Sequence, residues 1–537
     1  MKTAVFSVYR KLVILALFVY AIVQIYCINQ LSVNYDEGSF ASYGLTLLKF
    51  QRNKDVLLYE SKLPITALNM LPRAVEQFVH PQLKKTWPQS QSDIINGRYV
   101  SLLFAILLGF LVFKWAEKLN GERVALFVLL TYLLCPNFLA HGIFVSSDIF
   151  ACFFMTLALY YLWRFLDEKK IAHFVLMTMA TAMAEISKFS MVHLFLIIPL
   201  LVVVHFLFNR DRERGPHFNL KKAIIYILVF LLINWLIICT SHLFYQVFLP
   251  IKDYRFMSES FKHLQVFLSK ISLSFPVPLP SSYIKSMDAV VYFDQLGGGV
   301  NGSLNGAPYI LGKSNIHGFW YYYFVSIFFK TPITTLLLWT TALLMLFLKF
   351  SKKVFFKNEI FLILPAFYFL VYMNFFYGTQ VGIRHILIIF PLLMIFSGGV
   401  ISKLILTKKM VVLYAFLAFE AISVFSYFPH FLPYTNEFIV DKKLVYKKIA
   451  STNICYGEGK KFLQDYLIKN PDAAYMPETP ISGKAVFEVN ELLSLHIRTQ
   501  HKYDWAKSLM PIDHIHSQYL IFDIDKQAAD SLKKLYY

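Results

Sequence analysis

The chain has 537 residues, 57% hydrophobic, 17% aromatic and only 16% charged, with a mean hydropathy of +0.53. A soluble domain is nearer half apolar with about a quarter charged, so an ordinary soluble globule is excluded and a polytopic membrane protein expected. The formal charge of +19 does not point to nucleic acid. Much of the Lys and Arg falls in short loops between apolar segments, the positive-inside pattern, with anionic lipid as the partner.

A basic start (Lys2, Arg10, Lys11) precedes the first apolar run without a clear small-residue cleavage site, so a retained first helix is expected. Spanning helices of roughly 20 residues are predicted at 12–31, 98–115, 124–143, 147–165, 173–187, 190–208, 223–245, 332–348, 360–376, 386–403 and 411–427, about eleven in all. Basic loops at 114–123, 164–170, 209–222, 349–357 and 403–409 alternate sides if the N-terminus is inside and the C-terminus outside. That alternation requires Lys188-Phe189-Ser190 to break one long apolar run into two helices.

Three outer segments are too long for simple connectors. The first, 32–97, contains amphipathic stretches at 40–50 and 65–79 that read as interfacial helices. The second, 246–331, is rich in Pro, Gly and aromatics, including Gly297-Gly298-Gly299 and Trp320-Tyr321-Tyr322-Tyr323. The tail, 428–537, is polar enough for a small extracytoplasmic α+β domain, leaving 1–427 as the transmembrane domain. Four of the five cysteines lie in apolar stretches, without metal spacing or a disulfide framework.

Asp36-Glu37, just past the first span, is the first chemical candidate, because carboxylates beside a bilayer are costly without a partner or a task. Two compatible readings stand for Asp36: a base at the membrane boundary, or the N-cap of a helix starting near Gly38. Asp148, after Ser146 and Ser147, is expected level with Asp36, again as a site carboxylate or a cap; His141 alone reads as a structural histidine. Arg98, Lys188 and Arg384-His385 are cations at outer helix ends, where the positive-inside bias makes them unusual. They either anchor to lipid headgroups or bind an anion such as phosphate. Lys62 in isolation is a solvated loop lysine, and Asn301-Gly302-Ser303 is a glycosylation sequon. No Walker loop, HExxH or dinucleotide fingerprint supports a cytosolic nucleotide substrate.

Taken together, these motifs resemble the GT-C-fold glycosyltransferases that use polyprenyl-phosphate sugars, closest to the protein O-mannosyltransferase and lipid A aminoarabinose transferase group. The matching pieces are Asp36-Glu37, Lys62-Leu63-Pro64, Gly97-Arg98-Tyr99-Val100-Ser101, Ala140-His141-Gly142 with Ser147-Asp148, Ser187-Lys188-Phe189 and Gly382-Ile383-Arg384-His385-Ile386-Leu387, spread over 12–430. The resemblance implies an all-α membrane fold and an inverting single displacement. Asp36 would activate the acceptor hydroxyl, supported by Glu37, with Asp148 as second acidic residue. Lys62 would contact the donor phosphate, with Arg98, Lys188 and Arg384 as further phosphate or site-ordering candidates. The implied partners are a polyprenyl-phosphate sugar and a lipid, glycan or protein acceptor outside a bacterial inner membrane. Some relatives bind a divalent metal and others need none; Glu60 and the outer histidines are the candidate ligands. The central outer loop is too short for the β-trefoil insert of eukaryotic mannosyltransferases. A transporter or flippase, which would place its polar residues near the midplane in two similar halves, and an O-antigen ligase or polymerase are the alternatives.

Overall fold

The computed structural model describes residues 8–50, 62–80, 91–208, 220–297, 307–348, 350–351, 354–495 and 501–536. Glu60, the 301–303 sequon, Gly298-Gly299 and most of the basic loop 209–222 lie outside them.

The described residues form a mostly helical protein. Seven helices are long and apolar enough to cross a bilayer: Val8–Gln30, Ile94–Asn120, Asp148–Glu168, Phe189–Phe208, Lys221–Ser241, Phe355–Phe375 and Leu387–Leu406. Several are apolar all round, the pattern of a helix whose outer face meets lipid rather than water. Phe18, Val19 and Ile22 on the first, and Ile225, Leu228 and Leu232 on the fifth, are all at least half exposed.

The other expected spans take shorter forms. Ile171–Glu185, Ile333–Leu348 and Met410–Phe425 are apolar helices of 15, 16 and 16 residues. At 1.5 Å per residue each is about 23 Å long, less than the hydrocarbon thickness of about 30 Å. The segment expected at 124–143 is divided into Glu122–Leu133 and Pro136–His141. Pro136 explains the break: proline lacks the N–H that would continue the first helix and suits the first turn of a new one. The run around Lys188 divides as well. A helix ends at Glu185, Lys188 is extended, and a tight turn at Phe189–His193 leads into Leu194–Phe208.

Two short helices, Glu37–Leu48 and Ala67–Val79, pack against each other and against the Gln91–Asn120 helix. The tail carries a four-stranded sheet in the order Ala474–Tyr475, Gly483–Glu488, Tyr519–Ile524, Asp513–Ile515, parallel at the first pair and antiparallel at the other two. Its strands alternate with period two. Val486, Tyr519 and Ile521 pack with Leu463 of the Lys460–Lys469 helix. Ala485, Phe487, Leu520 and Phe522, on the other face, join the apolar core that runs on through the spanning helices. The tail is therefore packed into the helical body.

Candidate functional site

The turn after the first span is organised by Asn34. Its side-chain oxygen accepts from the backbone N–H groups of Asp36 and Glu37, at 3.0 and 2.9 Å. This satisfies the start of the Glu37–Leu48 helix. Asp36, expected as a capping candidate, makes no side-chain capping bond, so its carboxylate is available elsewhere.

Glu37 points inward and is wholly buried. Its oxygens accept from Arg98 Nε at 2.8 Å, Arg98 Nη2 at 2.6 Å, Asn34 N at 2.9 Å and Val145 N at 3.0 Å. Arg98 spends its remaining N–H groups on the carbonyls of Ile28, Leu31 and Ser32, at 3.3, 2.9 and 2.6 Å. Guanidinium has five such donors, and all are consumed at a position 1% exposed. Of the two roles the resemblance offers Arg98, contact with phosphate or ordering of the site, these bonds fit the second, and among the described residues they leave no donor for a phosphate or a headgroup. Arg98 caps the end of the first span and clamps Glu37, and through Val145 fixes the turn that leads to Asp148. Glu37 likewise offers no oxygen to a substrate; its place is beneath Asp36.

Asp36 turns the other way, with a side chain 40% exposed. Its Oδ2 accepts from Arg384 Nη1 at 3.2 Å and from the Tyr456 hydroxyl. Among the described residues Oδ1 has no hydrogen-bond partner. Arg384 also donates to the Tyr456 hydroxyl and lies 4.7 Å from the centre of that ring. Burial by itself would lower the pKa of Arg384, but Tyr456, Asp36 and Asp148 around it raise it, so it stays charged. Among the described residues its Nε has no hydrogen-bond partner.

Arg384 sits in a tight turn, Ile383–His385, entered through Gly382 at φ +75°, a conformation that favours glycine. Gly382 N donates to the Tyr322 hydroxyl and Ile383 N to Asn453 Oδ1, both at 2.9 Å. Asn453 is held in turn: its carbonyl accepts from Lys330 Nζ at 2.7 Å. Burial pushes the Lys330 pKa down to about 7, against an opposing pull from Glu458.

Asp148 opens the Asp148–Glu168 helix, and its Oδ1 accepts from Lys188 Nζ at 2.7 Å. Lys188 is brought there by the break after Glu185. Asp148 adds to the charge effects that keep Arg384 protonated, and Arg384 bonds Asp36. His141 is buried with Nε2 unpartnered. His385 is driven well below the usual imidazole range by burial and then by Lys188 and Arg384; it is neutral at pH 7. Lys62 lies with its Nζ 5.7 Å from the centre of the Phe40 ring, one helical turn past Asp36.

Tyr456 was not foreseen. It comes from the tail, 420 positions from Asp36, and no motif or periodicity marks it. Backbone bonds bring it in: Tyr35 N donates to Tyr456 O at 3.0 Å and Ser32 N to Glu458 O at 2.8 Å. Glu458 Oε2 accepts from Tyr456 N at 2.9 Å, while its Oε1 pairs with His430 at 2.6 Å; both side chains are wholly buried.

Among the described residues no three His, Cys, Asp or Glu side chains gather as metal ligands; Glu60 lies outside them. The arrangement is two carboxylates, each tied to one cation, with one oxygen of Asp36 and one nitrogen of Arg384 left over. Such a group can take a proton and neutralise an anion at the same place.

Comparison with known proteins meets the resemblance drawn from the motifs. ArnT from Cupriavidus metallidurans in the apo state is 15% identical, with a TM-score of 0.46 over 73% of this chain and 60% of that chain. ArnT bound to undecaprenyl phosphate is 13% identical, with a TM-score of 0.46 over 95% of this chain and 97% of that one. The Archaeoglobus fulgidus oligosaccharyltransferase AglB, in complex with an inhibitory peptide and a dolichol-phosphate, is 13% identical, with a TM-score of 0.46 over 86% and 60%. No curated protein matches the sequence. Residues 90–245 match the sequence model of the dolichyl-phosphate-mannose-protein mannosyltransferase family, and that stretch contains Arg98, His141, Asp148 and Lys188 of the cluster just described.

Proposed function

We propose that this protein transfers a sugar from a polyprenyl phosphate to an acceptor hydroxyl at the outer face of a bacterial inner membrane. The observation that carries the reading is Asp36: one carboxylate oxygen is tied to Arg384 and Tyr456, and the other has no hydrogen-bond partner among the described residues. The mannosyltransferase match over residues 90–245 supports the donor class.

In the proposed step the acceptor hydroxyl donates its proton to Asp36 Oδ1 as its oxygen attacks the anomeric carbon. The bond from that carbon to the phosphate oxygen breaks, and polyprenyl phosphate leaves with the electron pair. The sugar inverts once and no covalent enzyme intermediate forms. Arg384 and Lys188 face the growing phosphate charge, where a fixed cation lowers the barrier. Protonation of Asp36 weakens its hold on Arg384 at the moment the leaving phosphate needs that charge. Asp148 restrains Lys188, Glu37 and Arg98 hold the turn beneath, and Lys62 is assigned to the donor phosphate by motif.

Mass spectrometry of envelope lipids and glycans tests the reading in cells with the protein, without it, and with Asp36→Asn in its place. A sugar lost in the second and third cases supports it and names the acceptor. Unchanged glycans in cells lacking the protein would overturn it. An alkaline phosphatase fused to the C-terminus should be active, since the tail and Asp36 share one side.

A further inference from the structure

The Glu259–Ile271 helix belongs to the second outer segment, and none of its residues is buried. It is nevertheless well anchored. Ser258 caps it through Phe261 N at 3.3 Å, and Asp288 accepts from Met257 N and Ser258 N at 2.7 and 3.0 Å. Gln265 Nε2 donates to the carbonyls of Ile251 and Tyr254, at 2.8 and 2.9 Å. Phe261 and Leu268 pack on Ile251, Tyr254, Phe256 and Val277.

The flank beside that anchored face is apolar and uncovered. Leu264, Phe267 and Ile271 are 44, 61 and 64% exposed, and their i, i+3, i+7 spacing aligns them in one stripe. Basic residues outnumber acidic ones over 252–273: Lys252, Arg255, Lys262 and Lys270 against Asp253 and Glu259. This combination marks a helix lying in a lipid interface.

The stripe also continues a lipid-facing surface. Trp235, within the Lys221–Ser241 span, donates from Nε1 to the carbonyl of Pro278 at 2.5 Å. Ile251 N donates to Phe275 O at 2.9 Å and Val277 N to Leu249 O at 3.1 Å. The base on which the helix rests is thus stitched to the outer end of a span, beside the exposed Phe244 and Phe248.

We infer that the Glu259–Ile271 helix docks its Leu264–Phe267–Ile271 stripe into the outer leaflet, with Lys270, about a quarter-turn from the stripe, reaching anionic headgroups. The inference needs only the membrane reading and stands apart from the proposed catalytic role.

The five native cysteines are buried, so a single added thiol takes a label selectively. Full-length protein is reconstituted in phosphatidylcholine vesicles with and without phosphatidylglycerol. Phe267→Cys and, on the opposite flank, Val266→Cys each carry an environment-sensitive fluorophore. At position 267, nitroxide-bearing lipid should quench strongly, iodide should quench several-fold less than at 266, and phosphatidylglycerol should deepen the contrast. Equal iodide access at both positions would overturn the inference. Shielding at 267 that follows the protein-to-lipid ratio instead of lipid composition would also overturn it, pointing to a second copy of the chain.

Discussion

Asp36 and Glu37 are adjacent acids, and the structure predicts opposite consequences for replacing them with their amides. Glu37 accepts four hydrogen bonds at zero exposure, two of them from Arg98, which is itself 1% exposed. Glu37→Gln removes the only carboxylate paired with that guanidinium among the described residues and turns an amide N–H₂ toward existing donors. Breaking one side of a buried pair costs about 3–5 kcal/mol, so this variant should melt far below the native protein. Asp36 is partly solvated and caps nothing, so Asp36→Asn should change stability by about 1 kcal/mol or less. Its cost should fall on the reaction, because loss of a general base typically slows turnover about 10²–10⁴-fold, or about 2.7–5.4 kcal/mol of barrier. Thermal melting in detergent and sugar transfer in proteoliposomes separate the two. A Glu37→Gln protein that melts normally yet fails to transfer would refute the assignment of Glu37 to structure. An Asp36→Asn protein with undiminished transfer would refute the proposed base.

Tyr456→Phe keeps the ring beside Arg384 but deletes the hydroxyl that bonds Asp36. A hydrogen bond to a charged group contributes about 1.5–3 kcal/mol, so kcat/KM should fall about 10- to 150-fold with little loss of melting temperature. Gly382→Ala places a methyl group against Thr452 Oγ1 at a positive φ; Arg384 should be displaced and transfer impaired, read from kcat/KM in proteoliposomes alongside the native protein. Lys330 supplies a pH signature. An unfolded lysine titrates near about 10.4, the buried one at about 7, so between these values the unfolded chain holds the extra proton and raising the pH favours folding. Stability of the native protein should rise across that window, by at most about 1.4 kcal/mol per pH unit, and Lys330→Met should flatten the rise in melts recorded across it.

The charged residues of the cluster were visible in the sequence for a physical reason: an ion at the outer end of an apolar segment has no statistical excuse. Asp36, Asp148, Lys188 and Arg384 all announce themselves that way, from four segments, and the structure pairs Asp36 with Arg384 and Asp148 with Lys188. Their division of labour was not visible. Adjacent positions at a helix start point in different directions, so one acid of the Asp36-Glu37 pair meets a packed arginine and the other an opening. Nothing in the local pattern says which. Arg98, like Arg384, stands at the start of an apolar segment, yet its five donors are spent on Glu37 and on three carbonyls ending the first span. Those carbonyls lie at and just past the end of a helix some 70 positions earlier, a partner that hydropathy cannot indicate. The 124–143 segment was read for length and apolarity alone, and Pro136, a local breaker, divides it.

The tail is where the sequence was least informative and where the structure changes the reading most. Its polarity suggested a small α+β domain, with no sign of what it touches; its backbone at Tyr456 and Glu458 pairs with Tyr35 and Ser32, just before Asp36. Asn453, three residues earlier, sets the Arg384 turn. Both groups holding Asp36 Oδ2 therefore depend on residues 453–458: one belongs to that segment and the other is positioned by it. A carboxylate left to rotate would present either oxygen to the acceptor, whereas one with Oδ2 fixed presents Oδ1 alone, and orientation of this kind is a large part of what a protein contributes to a bimolecular step. Docking of the tail is accordingly a condition for the proposed chemistry, and tail substitutions that loosen the buried His430–Glu458 pair should lower transfer without touching any residue that meets the substrate.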